Sequence, residues 1–332
     1  MPHLRGKPRQ IVPNCVEIAV QKCPHWAIDF FVMTASEHIR WLSNPRLQNP
    51  TVIAAFSGWN DAADAASTAI RTLVDAWKAE PLAEIDPEEF TDFATIRPSV
   101  RLDDEAQRSI VWPKVSMWHA TTPGADVILI LGPEPSLKWR LFTEQIIGVA
   151  ARFEANMVLT LGALLADVSH RSEVQVMGTA NDENTIERFD LQRSRYEGPT
   201  GIISVIHDAC SHSSIASASL WAACPAIASQ IPSPKAASAL IARAGEIIGT
   251  PVPLGALHNH IVAYDIKVEE MIDDDEDLRE YVERLETMGD DPFGTEDSHQ
   301  LQFDFDVNEE DIEEESHALV DEVEKFLRDQ DN

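Results

Sequence analysis

The sequence predicts an α/β protein, a three-layer α/β/α sandwich carrying a C-terminal helical extension. Residues 51–57 (TVIAAFS) form a nearly continuous apolar run that opens on β-branched residues and stops at Gly58. Strands buried on both faces lose the alternation of a half-wet strand, which marks a parallel sheet. Residues 61–77 follow with alanines, Ile70, Leu73 and Val74 placed for a helix lying close on that sheet. The runs 125–131 (ADVILIL) and 156–161 (NMVLTL) are then separated by 137–154, where Trp139, Phe142, Ile146, Ile147, Ala150 and Phe153 recur at helical spacing. Strands alternating with helices close into a mainly parallel sheet covered on both faces. Beyond Ser229 the pattern becomes helical.

Further strands are expected over 93–97, 110–118, 173–178, 201–206 and 216–223. Pro232 and Pro234 end the sandwich, 235–248 reads as a helix, and Pro251 and Pro253 precede a long helical stretch to Met288. Along it Ile261, Tyr264, Val268, Met271, Leu278, Val282 and Leu285 alternate spacings of three and four, with Asp275 filling one intervening seam position. Residues 289–308 carry Gly289, Pro292 and Gly294 without helical period and read as a linker. Ile312, Leu319, Val323, Phe326 and Leu327 then mark one more amphipathic helix over 311–328. The expected organisation is an N-terminal extension (1–32), an α/β/α core (49–229), a helical extension packed on it (230–288), and an acidic linker with a terminal helix (289–332).

Charge separates the same regions. The net charge of −30 is concentrated at the C-terminal end: residues 265–331 hold 28 acidic and five basic residues, a net of −23. Such a field repels phosphate backbones and anionic membrane surfaces, so no nucleic-acid or membrane partner is expected, and a basic protein surface suits it better. Residues 1–32 are instead mildly basic, with four prolines and no apolar region of a secretory signal. Met33 opens a more ordinary N-terminus, so translation is expected to start there rather than at Met1. Cys15, Cys23, Cys210 and Cys224 have no C-x-x-C spacing, which fits reduced thiols in a cytoplasmic protein, and no metal site or cofactor is expected.

Two segments could carry chemistry. Gly58, Trp59, Asn60 and Asp61 follow the first long strand, the position where open α/β sheets bind ligands and helix-start amides hold anions. In the competing and simpler reading, Gly58 makes the turn, Asp61 caps the helix and Trp59 packs under a neighbour. No phosphate-loop or dinucleotide glycine pattern is present. His170 and Arg171, after the strand at 156–161, place an imidazole and a guanidinium at the same sheet edge, with surface pairing to local acids the simpler account. Ser211, Ser213 and Ser214 near His207 and His212 lack a nucleophile elbow, so no catalytic residue is assigned. His258 and His260, two apart on a helix, make a poor metal pair.

Several segments, in order, resemble the proteasome assembly chaperone family in its actinobacterial branch. They are 56–62 (FSGWNDA), 132–135 (GPEP) followed by Trp139-Arg140, and 161–164 (LGAL) with His170-Arg171; then come 196–201 (YEGPTG), 218–221 (ASLW) and 232–237 (PSPKAA). Coverage runs from Asn49 to Met288. The resemblance implies an α/β/α fold akin to nucleoside phosphorylases, homo-oligomeric assembly, taken here as a trimer, and a role in protein assembly rather than catalysis. Family members that dock on proteasome rings often carry a terminal hydrophobic-Tyr-X tail. Residues 328–332 (RDQDN) differ from it, so docking by that mode is not expected. Function therefore reads as a non-catalytic assembly factor or scaffold. The alternative is a binder of a nucleoside-like or phosphorylated ligand, or an enzyme acting on one, through the loop after the first strand.

Overall fold

The computed structural model describes residues 38–103, 106–288 and 293. The expectations for 1–32 and 289–332 lie outside those residues. The strands are β1 (Ile39–Trp41), β2 (Thr51–Ser57), β3 (Glu80–Ile85), β4 (Ser99–Leu102), β5 (Arg108–Val111), β6 (Val115–Thr121), β7 (Asp126–Pro133), β8 (Met157–Ala166), β9 (Val176–Ala180) and β10 (Ser217–Pro225). The helices are α1 (Ala65–Trp77), α2 (Trp139–Arg152), α3 (Glu183–Phe189), α4 (Ile202–His212), α5 (Pro234–Ile248), α6 (Gly255–Asp273) and α7 (Glu276–Met288). All belong to one compact unit, from which residues 195–198 cluster apart.

Eight strands form one sheet in the order β1-β3-β6-β7-β2-β8-β10-β9. The four central strands β7, β2, β8 and β10 are mutually parallel, as their apolar runs require. Antiparallel strands extend the sheet on both sides, so it is mixed rather than mainly parallel. In β2, Ile53 and Ala55 face a core built with α1 and α5, whereas Val52, Ala54 and Phe56 face one built with α2 and α4. The period-two alternation of a strand thus feeds two separate helix layers. On α1 the buried face is Ala65, Ala66, Ala69, Ile70 and Leu73, small residues first, which lets the helix axis come close to the sheet. Truncating Leu73, which is fully buried, to alanine costs about 2–5 kcal/mol.

Several expected elements differ. Residues 201–206 begin helix α4, because Ile202, Ile203, Ile206 and Cys210 bury one helical face, a period that a six-residue window is too short to reveal. Residues 93–97 turn instead of extending: the Asp92 carboxylate accepts from Ala94 N at 2.9 Å and Thr95 Oγ1 at 2.9 Å, a local alternative to strand pairing. The run 110–118 is interrupted at Pro113, which separates hairpin strand β5 from sheet strand β6. Strands β1, β3 and β4 and the short helix α3 had no clear pattern. In β3, Pro81 and the charged Glu80 and Glu84 mask a strand that buries only Leu82, Ala83 and Ile85.

The long C-terminal helix is two helices. Asp275 accepts from the backbone N–H of Asp277 (3.0 Å) and Leu278 (3.2 Å), so it caps α7 rather than filling a seam position. The chain folds back there, and Tyr264, Val268, Ile272 and Val282 form a small core with Ala228. Tyr264, Val268, Met271 and Val282 were legible in the sequence as packing residues; Ile272 and the break were not.

Candidate functional site

Both expected site segments lie at the carboxyl edge of the central strands. Helices α1 and α2 leave the neighbouring strands β2 and β7 toward opposite faces, which makes this junction the switch point where α/β sheets hold ligands. Gly58 turns the chain with φ +126°, a conformation open to glycine, and a β-carbon there would lie 3.6 Å from Glu134 Cβ. Asn60 is 1% exposed and donates from Nδ2 to Glu134 Oε1 at 2.7 Å. The Ile202 backbone N–H donates to the same oxygen at 2.7 Å. The Glu134 carboxylate thus sits on the first N–H of α4, the place that a phosphate takes in a nucleotide-binding fold.

Asp61 does the same for α1. Its Oδ1 accepts from Ala66 N at 2.7 Å and Ser67 N at 3.1 Å, while Oδ2 is buried with no partner among the described residues. Burial raises the Asp61 pKa, opposed by the Ser67 and Ala66 hydrogen bonds. Ala63 and Asp64 take left-handed backbone at φ 51° and 50°, a strained turn pinned by Ser233 N donating to Ala63 O at 2.8 Å. Trp59 stays 44% exposed. At this sheet edge, then, the starts of α1 and α4 already hold a carboxylate of the chain itself.

His170 and Arg171 form a second group, turned toward the helical extension. Arg171 grips Glu269 of α6 through Nε (2.8 Å) and Nη2 (2.8 Å), and reaches Glu286 of α7 through Nη1 at 3.1 Å. The buried His170 ring lies 3.0 Å from Glu269 Oε1 by its Nε2, and its Nδ1 has no partner among the described residues. Tyr281 of α7 donates to Asp167 at 2.6 Å, and Lys235 of α5 donates to the His170 carbonyl at 2.6 Å. The Arg171 hydrogen bonds hold the Glu269 carboxyl down at about 2, and the Glu269 carboxylate in turn raises the Arg171 pKa. Val168, Ser169, His170, Ser233, Lys235 and Tyr264 are among the residues lining a narrow cleft here, to which none of Gly58, Trp59, Asn60 and Asp61 contributes. The two expected groups therefore share a sheet edge without meeting in one cleft. Among the described residues no group of three or more His, Cys, Asp or Glu is arranged to hold a metal.

A family model described as the PAC2 family matches residues 55–272. The chain belongs to the PAC2 family. A PAC2 family protein of Streptomyces avermitilis is 39% identical, with 70% of this chain and 99% of that one covered, at a TM-score of 0.65. A proteasome-assembly chaperone homologue of Mycobacterium tuberculosis is 40% identical over 70% of this chain and 99% of its own, at a TM-score of 0.64. PbaB of Pyrococcus furiosus, an archaeal proteasome activator, shares the fold at 15% identity and a TM-score of 0.59, with 70% and 97% covered. No curated protein matches the chain. The resemblance read from scattered short segments is thereby borne out.

The PAC2 segments prove to be contacts with one another. Gly132-Pro133-Glu134-Pro135 supplies Glu134 to Asn60; a β-carbon at Gly162 would lie 2.7 Å from the Trp221 ring; Ser233 caps α5 and pins Ala63. Glu134, Glu269 and Glu286 were not singled out as site residues. Glu134 stood inside a quoted motif and was readable from it. The two helix glutamates sit 98 and 115 residues from Arg171, and nothing local marks them.

Proposed function

We propose that this PAC2 protein is a non-catalytic assembly factor that acts by protein–protein contact in the cytoplasm as a homo-oligomer. The observation that carries the reading is the filled switch point. Where an α/β enzyme keeps helix-start amides open for an anionic substrate, Asp61 and Glu134 occupy those amides, and Asn60 is locked between them. A fold that spends its ligand edge on internal contacts keeps its outer surfaces for partners. The names of its relatives, an assembly-chaperone homologue and a proteasome activator, make proteasome subunits the first partners to test. The strongly acidic composition favours a partner with a basic face.

Affinity purification of the chain at native expression, followed by mass spectrometry, tests this. Recovery of proteasome subunits or another stoichiometric protein supports the reading; recovery of the chain alone overturns it. In the rival reading the 58–61 loop binds a nucleoside-like or phosphorylated ligand, and a ligand at 100 times its dissociation constant would add about 2.7 kcal/mol of stability.

A further inference from the structure

The arm that runs from Tyr264 in α6 to Met288 in α7 is held on the sheet domain differently from the rest of the molecule. The start of α6 belongs to one of the two cores of the sheet, through Leu257 and Ile261. From Tyr264 onward the buried apolar residues belong to the small core of Tyr264, Val268, Ile272 and Val282, which meets the rest of the chain at Ala228 and its neighbours Ile227 and Ile231. So little apolar burial puts the arm at the low end of local stability, as a unit able to open while the sheet stays folded. Polar bonds supply what the small core lacks, and they converge on one loop. After β8, Asp167 bonds Tyr281, Ser169 bonds Glu286, His170 bonds Glu269, and Arg171 bonds both glutamates. Lys235 of α5 adds a contact to Asp265 at 3.3 Å.

Arg171 is the centre of that set. Glu269 takes its planar fork through two N–H groups and Glu286 takes a third, a geometry that a lysine ammonium does not reproduce. The two carboxylates are therefore already shaped for a guanidinium, and the guanidinium they hold is the chain's own. The side chains of Arg171, Glu269 and Glu286 are 44%, 39% and 38% exposed, so another guanidinium reaches them from solvent without any prior unfolding. Residues 264–288 carry eleven acidic and three basic residues, which draws cations to the arm. Under it, Ser169 and His170 are buried, and His170 Nδ1 has no partner among the described residues.

We propose that Glu269 and Glu286 form a guanidinium site which Arg171 occupies in the resting chain, and that an arginine of a partner protein displaces Arg171 there, lifting the arm and uncovering Ser169 and His170. Arg171 is then an internal competitor, an autoinhibitory contact built into the loop after β8. A partner shifts the arm only by binding the open state better than the closed one, and the open state alone leaves both carboxylates without a cation of the chain. The proposal rests on the assembly-factor reading for the existence of a partner, and it names how that partner is recognised: through an arginine on a basic face.

The full chain carrying Ser169→Cys in a Cys15→Ser/Cys23→Ser background tests it, with a thiol reagent as reporter and hexa-arginine or hexa-lysine as the probe. The introduced thiol should label slowly in the resting chain, about five- to thirty-fold faster when Arg171→Ala is added, and several-fold faster with hexa-arginine, while Cys210 stays protected. Hexa-lysine, of equal charge, should act more weakly, and Glu269→Gln/Glu286→Gln should abolish the difference between the two peptides. Hydrogen exchange on the unsubstituted chain should show residues 264–288 opening together on addition of hexa-arginine, a readout that stands even if Ser169→Cys does not fold. Four results would overturn the proposal: labelling as fast in the resting chain as with Arg171→Ala, no response to hexa-arginine, an equal response to both peptides, or labelling of Cys210 alongside the introduced thiol, the mark of global unfolding. All four are read on the isolated chain, whereas the assembly-factor reading falls separately, if purification from cells recovers no partner.

Discussion

Replacing Glu134 probes the filled switch point directly. Its Oε1 is the acceptor for two groups, Asn60 Nδ2 and Ile202 N, in residues that are 1% and 0% exposed. Glu134→Ala strands both donors, and each unmet buried donor costs about 1–3 kcal/mol. Glu134 is only half-buried, so water reaches part of the gap, and a loss of about 2–3 kcal/mol is expected. At about 2–4 °C per kcal/mol for a domain of this size, the melting temperature should fall by about 5–10 °C. Glu134→Gln keeps an acceptor oxygen and loses only the charge at the start of α4, worth about 0.3–1 kcal/mol. The alanine variant should also gain what the wild type lacks, an anion site on the α4 amides, so phosphate should raise its melting temperature and leave the wild type unchanged. Differential scanning fluorimetry with and without phosphate reads both effects. Equal losses for the two variants, or stabilisation of the wild type by phosphate, would refute the reasoning.

Arg171→Ala removes a partly exposed three-bond clasp and should cost about 1–2 kcal/mol, with faster amide exchange in α6 and α7 than in the sheet, read by hydrogen exchange. The Glu269 carboxyl is held at about 2 in the folded chain against an ordinary 4.5, so its contribution is fully present above pH 4.5 and is lost as pH falls toward 2. Melting curves between pH 5 and pH 3 should show that slope in the wild type and a shallower one in Arg171→Ala. Burial pushes both the Cys210 and Cys224 thiols up to about 12, so in a Cys15→Ser/Cys23→Ser background Ellman's reagent should label neither until the chain unfolds. Gly201→Ala drives a β-carbon into the Asn60 side chain and should cost about 1–3 kcal/mol, measured by denaturant titration.

The central strands were legible because burial on both faces leaves an unbroken apolar run, as in 51–57, and no neighbour is needed to interpret it. The same reasoning misread 201–206 (GIISVI), a window that fits a strand or one turn and a half of helix; the helical face is completed by Cys210 beyond it, and the carboxylate at its start is Glu134, 68 residues earlier. Strand β3 hid behind Pro81 and two glutamates because an edge-side strand buries few residues. Asp275 filled a seam position by spacing alone, and its capping geometry became visible only in three dimensions.

Charge patterning, the family's scattered segments and the residues of the 58–61 and 170–171 loops are properties of the chain read in order, and the sequence by itself determined them. What Asn60, His170 and Arg171 bond was decided by tertiary structure, since hydrogen bonds between residues 74 to 115 apart leave no local trace, whereas the Asp61 cap lies five residues from its donor and was offered by the sequence. Asp61 and Glu134 face helix amides, His170 and Arg171 hold two helices onto the sheet, and the two groups line no common cleft. A carboxylate at the start of a helix reads the same in sequence whether it awaits a ligand's place or already fills it; only the partner across the fold distinguishes the two.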